Sequence, residues 1–397
     1  MNHKLFAAAC LAAPCLASPA LAQTSGARNQ AMGGTGVASS RPEVAAFINP
    51  AMIRHGSKDA GISIVLPFVG VIAADPDELV DGIDELQDSI EALQAAIDAA
   101  DVPGANALRP VVTEQLTAVD QDAIDVLGSA GVGVVVPLDG FTVALSARSF
   151  VDLRAIAFVD PNDVTLINST NTSADLDDLE SAAVAAAAGV TEFGVTLATG
   201  IEAFGREITI GITPKAQTVE TYNYAVSVSS FDEDDVEDEF DDDQFRDRQS
   251  GFNVDVGAAI DLTPRVTAGI SIQNLISDSY DTVITDGRQF EYRVEPRPTA
   301  GVAYSDDGLT LTGDLELLAT SRFEEVDDSQ FARVGAEYDL AGWVQVRAGY
   351  ALDIEDTQED VLSAGLGLSP FETVRIDLVG QYADNGYGAG VQIALTF

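Results

Sequence analysis

This sequence predicts an all-β fold: a transmembrane antiparallel β-barrel of about fourteen strands, with an N-terminal plug and a helical hairpin inserted after the first strand. Three observations carry that prediction. The chain begins like an exported protein, apolar residues recur at every second position through stretches of roughly ten residues ending at Phe397, and the connections between those stretches alternate between short and long.

Residues 1–22 read as a secretory signal peptide. Lys4 supplies the positive start, an Ala/Leu/Cys-rich stretch follows, and Ala20-Leu21-Ala22 fits the small-residue cleavage rule, so the mature chain is expected to begin near Gln23. Pro14, Ser18 and Pro19 interrupt the apolar run and leave it short of the ~20 residues of a spanning helix. Both cysteines, Cys10 and Cys15, fall in the signal, and of the two histidines only His55 lies outside it. No disulfide, metal cluster or cofactor is therefore expected, which suits an oxidising periplasm. A catalytic site is not expected either, because His55 stands without a recognisable partner motif.

With 20 Lys and Arg against 64 Asp and Glu, the net charge of −44 repels nucleic acid and excludes it as a partner. No later segment offers ~18 consecutive apolar residues, so this chain can cross lipid only as a closed barrel, which satisfies every backbone group.

Between the signal and the first strand, residues 23–56 contain Met32-Gly33-Gly34-Thr35-Gly36-Val37-Ala38 and Asn49-Pro50-Ala51. Glycines crowd where backbone must approach backbone, and Asn49-Pro50 is a turn signal. A segment so rich in small residues is expected to tuck inside the barrel as a plug.

The barrel proper, residues 57–397, has candidate strands starting near Gly61, Gly131, Phe141, Val190, Glu207, Gly251, Val266, Thr299, Leu309, Gln330, Trp343, Leu362, Thr373 and Tyr387. After the first strand, residues 75–130 form the insertion. Asp75 is placed to cap a helix with Pro76 at its first position, and Leu79, Ile83, Leu86, Ile90, Leu93 and Ile97 recur as a heptad seam. Val102-Pro103-Gly104 breaks it, and a second helix carries Val112, Leu116, Val119 and Ile124. The seam either packs internally or offers a groove for a ligand or a protein partner. Ala174 to Gly189 has the composition of a short Ala-rich helix. Residues 231–249 form an acidic loop, with eleven acidic residues between Asp232 and Asp247; it is a solvated loop or, less in keeping with its irregular spacing, a calcium site.

The C-terminal strands alternate most clearly. Val334 and Tyr338 oppose Arg333 and Glu337, Val346 and Tyr350 oppose Arg347, Leu315 opposes Asp314 and Glu316, and Ile376 and Leu378 oppose Arg375 and Asp377. Asn385-Gly386 then makes a tight turn into Tyr387, Val391, Ile393, Leu395 and Phe397. Alternation alone fits a soluble sandwich equally well. The parity of loop lengths decides for an outer-membrane barrel with both chain ends in the periplasm, with lipid and the barrel-assembly machinery as partners, the latter reading the terminal aromatic strand. The charged faces then point into the lumen, where they pair or line a wet path.

In the wording around Gly33, Gly34, Asn49, Pro50 and Ala51, the sequence resembles the FadL-like superfamily of outer-membrane barrels, and within it the TraF-like branch named after conjugal transfer. The resemblance spans roughly residues 27–53. It implies a 14-stranded barrel plugged from the N-terminus, a passive channel for hydrophobic small molecules that leave sideways into the membrane. The TraF-like branch implies the alternative, a surface or assembly protein of a conjugation or secretion apparatus without transport.

Overall fold

The computed structural model describes residues 26–55, 61–203, 205–228, 243–324, 326, 328–371, 373–384 and 386–397. The expected signal peptide, Gln23, Asn385 of the expected turn and the expected acidic loop up to residue 242 lie outside the described residues.

Fourteen strands close one barrel: β1 (Ser63–Ala74), β2 (Ala123–Leu138), β3 (Phe141–Phe158), β4 (Ala182–Ala203), β5 (Arg206–Ser227), β6 (Arg246–Thr263), β7 (Val266–Gln273), then β10 (Arg297–Asp306), β11 (Leu309–Glu316), β12 (Phe331–Asp339), β13 (Val344–Asp353), β14 (Val361–Phe371), β15 (Val374–Ala383) and β16 (Gly386–Thr396). Each pairs antiparallel with its sequence neighbours, and β16 returns to β1 with Val69 opposite Val391 and Ala74 opposite Gly386. Two short strands between β7 and β10, β8 (Asp278–Asp281) and β9 (Glu291–Val294), pair with each other, and Tyr292 of β9 also bridges to Phe323.

The period of two sorts the side chains. Val334, Tyr350, Leu352, Leu366, Leu378 and Val391 are exposed on the outer face, while Arg333, Glu337, Arg347, Asp377, Gln381 and Gln392 are buried inside. An exposed apolar face around a polar interior is the arrangement that lipid selects.

Before β1, three one-turn helices lie inside the barrel: α1 (Ala27–Gln30), α2 (Pro42–Ala45) and α3 (Met52–His55). After β1 comes the helical hairpin, α4 (Leu79–Asp98) and α5 (Val102–Ala118), and a further helix, α6 (Pro161–Ser169), follows β3. Leu79, Ile83, Leu86, Ile90 and Leu93 are buried against Val112, Leu116, Ile167, Leu176 and Leu179. The heptad seam thus packs internally, closed by α6 and the turn at Ser173–Leu176. Arg109 locks the hairpin to α6 by donating to the carbonyls of Ile167 and Thr170.

Several local expectations are corrected. Asp75 does cap α4, accepting from the amides of Leu79 (2.7 Å) and Val80 (3.2 Å), but the helix starts at Leu79 and not at Pro76. Ile124 belongs to β2, not to the second helix. The Ala-rich stretch before Gly189 is strand β4, not helix, and strands β2, β4 and β6 begin earlier than their alternation suggested. The reason is tertiary: Ala182, Val184, Ala186, Ala188 and Val190 bury one face under Tyr280, Phe290, Tyr292 and Phe323 of the folded-in β8–β9 region, and that packing overrides alanine's helical preference.

Strands β2 to β6 run 16 to 22 residues, against 8 to 11 for β10 to β16. A spanning strand needs about 9–11, so the wall is taller on the side that carries the helices.

The outward placement of Leu366 in mid-strand and Phe371 at the short-turn end predicts a depth dependence. Leu366→Arg should cost about 2–4 kcal/mol and Phe371→Arg about 0–1 kcal/mol in denaturant unfolding from lipid vesicles. Equal costs would place this face away from lipid.

Candidate functional site

The segment from Gly26 to His55 is almost wholly buried, and it is anchored on opposite sides of the lumen. Glu337 of β12 is the hub. Its carboxylate accepts two hydrogen bonds from Arg28 (2.9 and 3.0 Å) and one from Arg347 (2.5 Å), and Arg41 lies 3.6 Å away. Arg347 also reaches Asp377 at 2.7 Å. Glu43 of α2 pairs with Arg375 at 3.3 Å. Burial lowers the Arg28 pKa, but the Glu337 carboxylate outweighs it and the net shift is upward. Burial, with Arg28 beside it, pushes Arg41 down to about 10.

Backbone joins the side chains. Asp314 of β11 accepts from the amides of Gly36 (2.7 Å) and Val37 (3.0 Å), while its neighbour Glu316 pairs with Arg333 at 2.8 Å. Ser363 accepts from the amide of Gly33 at 3.0 Å. Asn49, fully buried, donates to the carbonyls of Val37 (2.7 Å) and Ala258 (3.2 Å) and accepts from Ala51 N (3.1 Å), which fixes the turn through Pro50. Gly33 and Gly34 both hold positive φ, 71° and 83°.

Several of the wall positions that receive this segment carry no side chain. A Cβ on Gly349 would sit 1.9 Å from Gly33 N, one on Gly335 2.4 Å from Met32 O, one on Gly211 2.3 Å from Pro50 C, and one on Gly257 1.9 Å from Asn49 Oδ1. The sequence reading missed this belt, together with Arg28, Arg41 and Glu43. Its trace was present: glycines at the inward positions of several consecutive strands, where a packed wall would carry larger residues.

A second ion cluster lies on the far side. Glu192 accepts from Arg148 (2.5 Å) and pairs with Lys215 (2.9 Å), which also reaches Asp255 (2.9 Å). The segment ends at His55, whose ring contacts Asp261 (2.9 Å) and Thr209 (3.4 Å); Thr209 is 1% exposed, so this threonine has no access for a substrate.

The wall is irregular in β1 on both edges, besides register shifts near the β6–β7 and β14–β15 turns. Strand β1 carries extra residues against both neighbours, between Val65 and Val69 facing β16 and between Val65 and Phe68 facing β2. Pro67 sits in this break, and Phe68 turns inward, buried, to meet Phe47 edge-to-face at 5.5 Å. Val37, Val44, Ile48 and Val65 complete that apolar cluster between the segment and the wall. Cavities of about 50, 40 and 10 Å3 lie among the polar side chains of the lumen.

Of the C-terminal residues singled out by the sequence, Tyr387, Val391, Ile393 and Phe397 are exposed on the outer face and Leu395 is partly so; Phe397 N donates to Ile62 O at 2.9 Å across the closing seam.

A family model described as "F plasmid transfer operon, TraF, protein" matches residues 46–316. No curated protein matches in sequence. Among solved structures, the Ralstonia pickettii toluene transporter TbuX superposes with a TM-score of 0.56 at 12% identity, covering 94% of this chain and 98% of its own. The Pseudomonas putida toluene transporter TodX gives 0.54 at 12%, covering 95% and 99%, and a Pseudomonas aeruginosa FadL homologue gives 0.53 at 12%, covering 94% and 98%. The chain therefore has the FadL-like barrel fold.

Two substitutions test the docking. Gly349→Ala should expel the N-terminal segment, seen as rapid labelling of a cysteine placed at the buried Ala31 in a chain lacking Cys10 and Cys15, whereas Gly380→Ala, with open space around its Cβ, should leave it protected. Glu337→Gln removes the carboxylate shared by Arg28, Arg41 and Arg347 and should lower hydrogen-exchange protection of residues 27–55 by about 3–5 kcal/mol; unchanged protection would show that the ion pairs do not hold the segment.

Proposed function

Because the chain belongs to the TraF family of F plasmid transfer operon proteins and has a FadL-like outer-membrane barrel, we propose that it is a gated passive channel for hydrophobic small molecules. Residues 23–56 act as its plug, the short turns and both chain ends face the periplasm, and the aromatic last strand from Tyr387 to Phe397 is read by the assembly machinery. The break in β1 carries this reading. An extra residue against both neighbours, a proline without an N–H, and an apolar cluster behind it make a weak stretch of the wall, stoppered by Phe68 and leaned on by Phe47 of the plug. A molecule that displaced Phe47 would meet Phe68 and then lipid.

A second reading is favoured by the lumen. Cavities of about 50 and 40 Å3 among the described residues, lined by charged side chains, are smaller than the ~150 Å3 that accommodates benzene. A surface or assembly protein needs no open path. Leu86 and Leu93 are fully buried, so a protein partner at the hairpin would meet its polar outer faces rather than its seam.

One experiment separates the two. In a Gram-negative host, uptake of labelled toluene or a long-chain fatty acid should rise on expression, rise further with Phe68→Ala, and fall with Pro67→Val, which restores a ladder donor. Uptake indifferent to expression and to both variants would sink the channel reading and leave the assembly role.

A further inference from the structure

Strands β8 and β9, four residues each, sit inside the barrel at the end opposite the short turns. Among the described residues, backbone-to-backbone hydrogen bonds from 278–294 run only within that segment or to residues 322–324, where Arg293 N donates to Arg322 O and Glu324 N to Glu291 O. No ladder ties the pair to the barrel strands. A lone two-stranded hairpin is marginal in water, so side chains of the wall must hold it in place. Asn223 of β5, fully buried, does most of this: its Nδ2 donates to the carbonyls of Val283 and Arg288, both at 2.9 Å, and its carbonyl accepts from Thr285 Oγ1 at 2.7 Å. Thr221 adds a bond to Asp281 O at 2.9 Å. Tyr280, Phe290 and Tyr292 then cover Val184, Ala188 and Val190 on the inner face of β4.

This attachment can come apart without breaking the barrel. Aromatic rings resting on small side chains separate along a smooth face, and no strand pairing of the wall is lost. The Asn223 Oδ1 has no hydrogen-bond partner among the described residues, so the seated hairpin leaves a buried acceptor unmet that water would satisfy once it lifts. Asn274, with φ 52°, turns the chain inward straight after β7, while Pro296 and Pro298 stiffen the return to β10, which concentrates any swing at Asn274. The cavity beneath, lined by Phe150, Gln217 and Tyr292, holds about 10 Å3. We propose that residues 278–294 are a lid, seated by Asn223 and lifted as one unit, that closes the lumen at the long-loop end and opens independently of the N-terminal segment. The lid governs access to the lumen whether or not a hydrocarbon passes.

The test uses a chain lacking Cys10 and Cys15, folded in detergent, with one reporter cysteine at a time: Val190→Cys beneath the lid, or Ala31→Cys in the N-terminal segment, both positions fully buried. Each is labelled with a water-soluble maleimide. Asn223→Ala should speed labelling at Val190→Cys by at least about tenfold and leave Ala31→Cys unchanged. Thr285→Val, a change on the lid itself, should act in the same direction, and it carries the test should Asn223→Ala fail to close its barrel, as judged by heat-modifiable mobility on gels. An unchanged rate at Val190→Cys in every variant that closes, or a parallel rise at Ala31→Cys, overturns the lid.

Discussion

Lipid offers no hydrogen bond, so each strand that faces it must find partners for its backbone on both edges. That requirement brings β16 back to β1 and seals the interior from the membrane. Where the ladder fails, between Val65 and Val69, the sequence places Pro67, which has no N–H to leave unpaired, and turns Phe68 inward to fill the gap. The exception thus obeys the same constraint as the rule.

Sealing the interior makes its charges depend on one another. Glu337 serves Arg28, Arg41 and Arg347, and Arg347 serves Asp377 in turn; across the lumen Glu192 and Asp255 hold Arg148 and Lys215. Buried pairs of this kind roughly break even against apolar packing, so their contribution is orientation more than stability. They are joined by contacts of a different sort, backbone against backbone at Gly349, Gly335 and Gly211, which tolerate no added methyl group. A segment seated this way has one docked position, and shifting it disturbs many contacts together.

The two sides of the barrel divide the work. The taller wall, β2 to β6, supports the helical hairpin and receives the folded-in β8–β9 pair, whose aromatic residues cover the small side chains of β4. The shorter wall, β10 to β16, supplies the glycines and the Glu337 hub that hold α1. The β1 break lies on the seam between these halves, beside Phe47.

Much of this barrel was legible in the chain because the governing patterns are local. Period-2 alternation located the strand starts at Phe141, Val266 and Leu309 to the residue, and the 4,3 spacing from Leu79 marked α4. The same alternation put Asp314, Glu337, Arg347 and Asp377 on polar faces. What it could not assign was which carboxylate meets which guanidinium, since Arg28 and Glu337 are joined across 309 residues. Nor could composition recognise Ala182–Gly189 as strand, because the packing that decides it arrives from Tyr280 and Phe323. Local periodicity is written in neighbouring residues and survives without a fold; the glycine belt and the break at Pro67 acquire meaning only when closure brings distant strands and the N-terminal segment into one desolvated space.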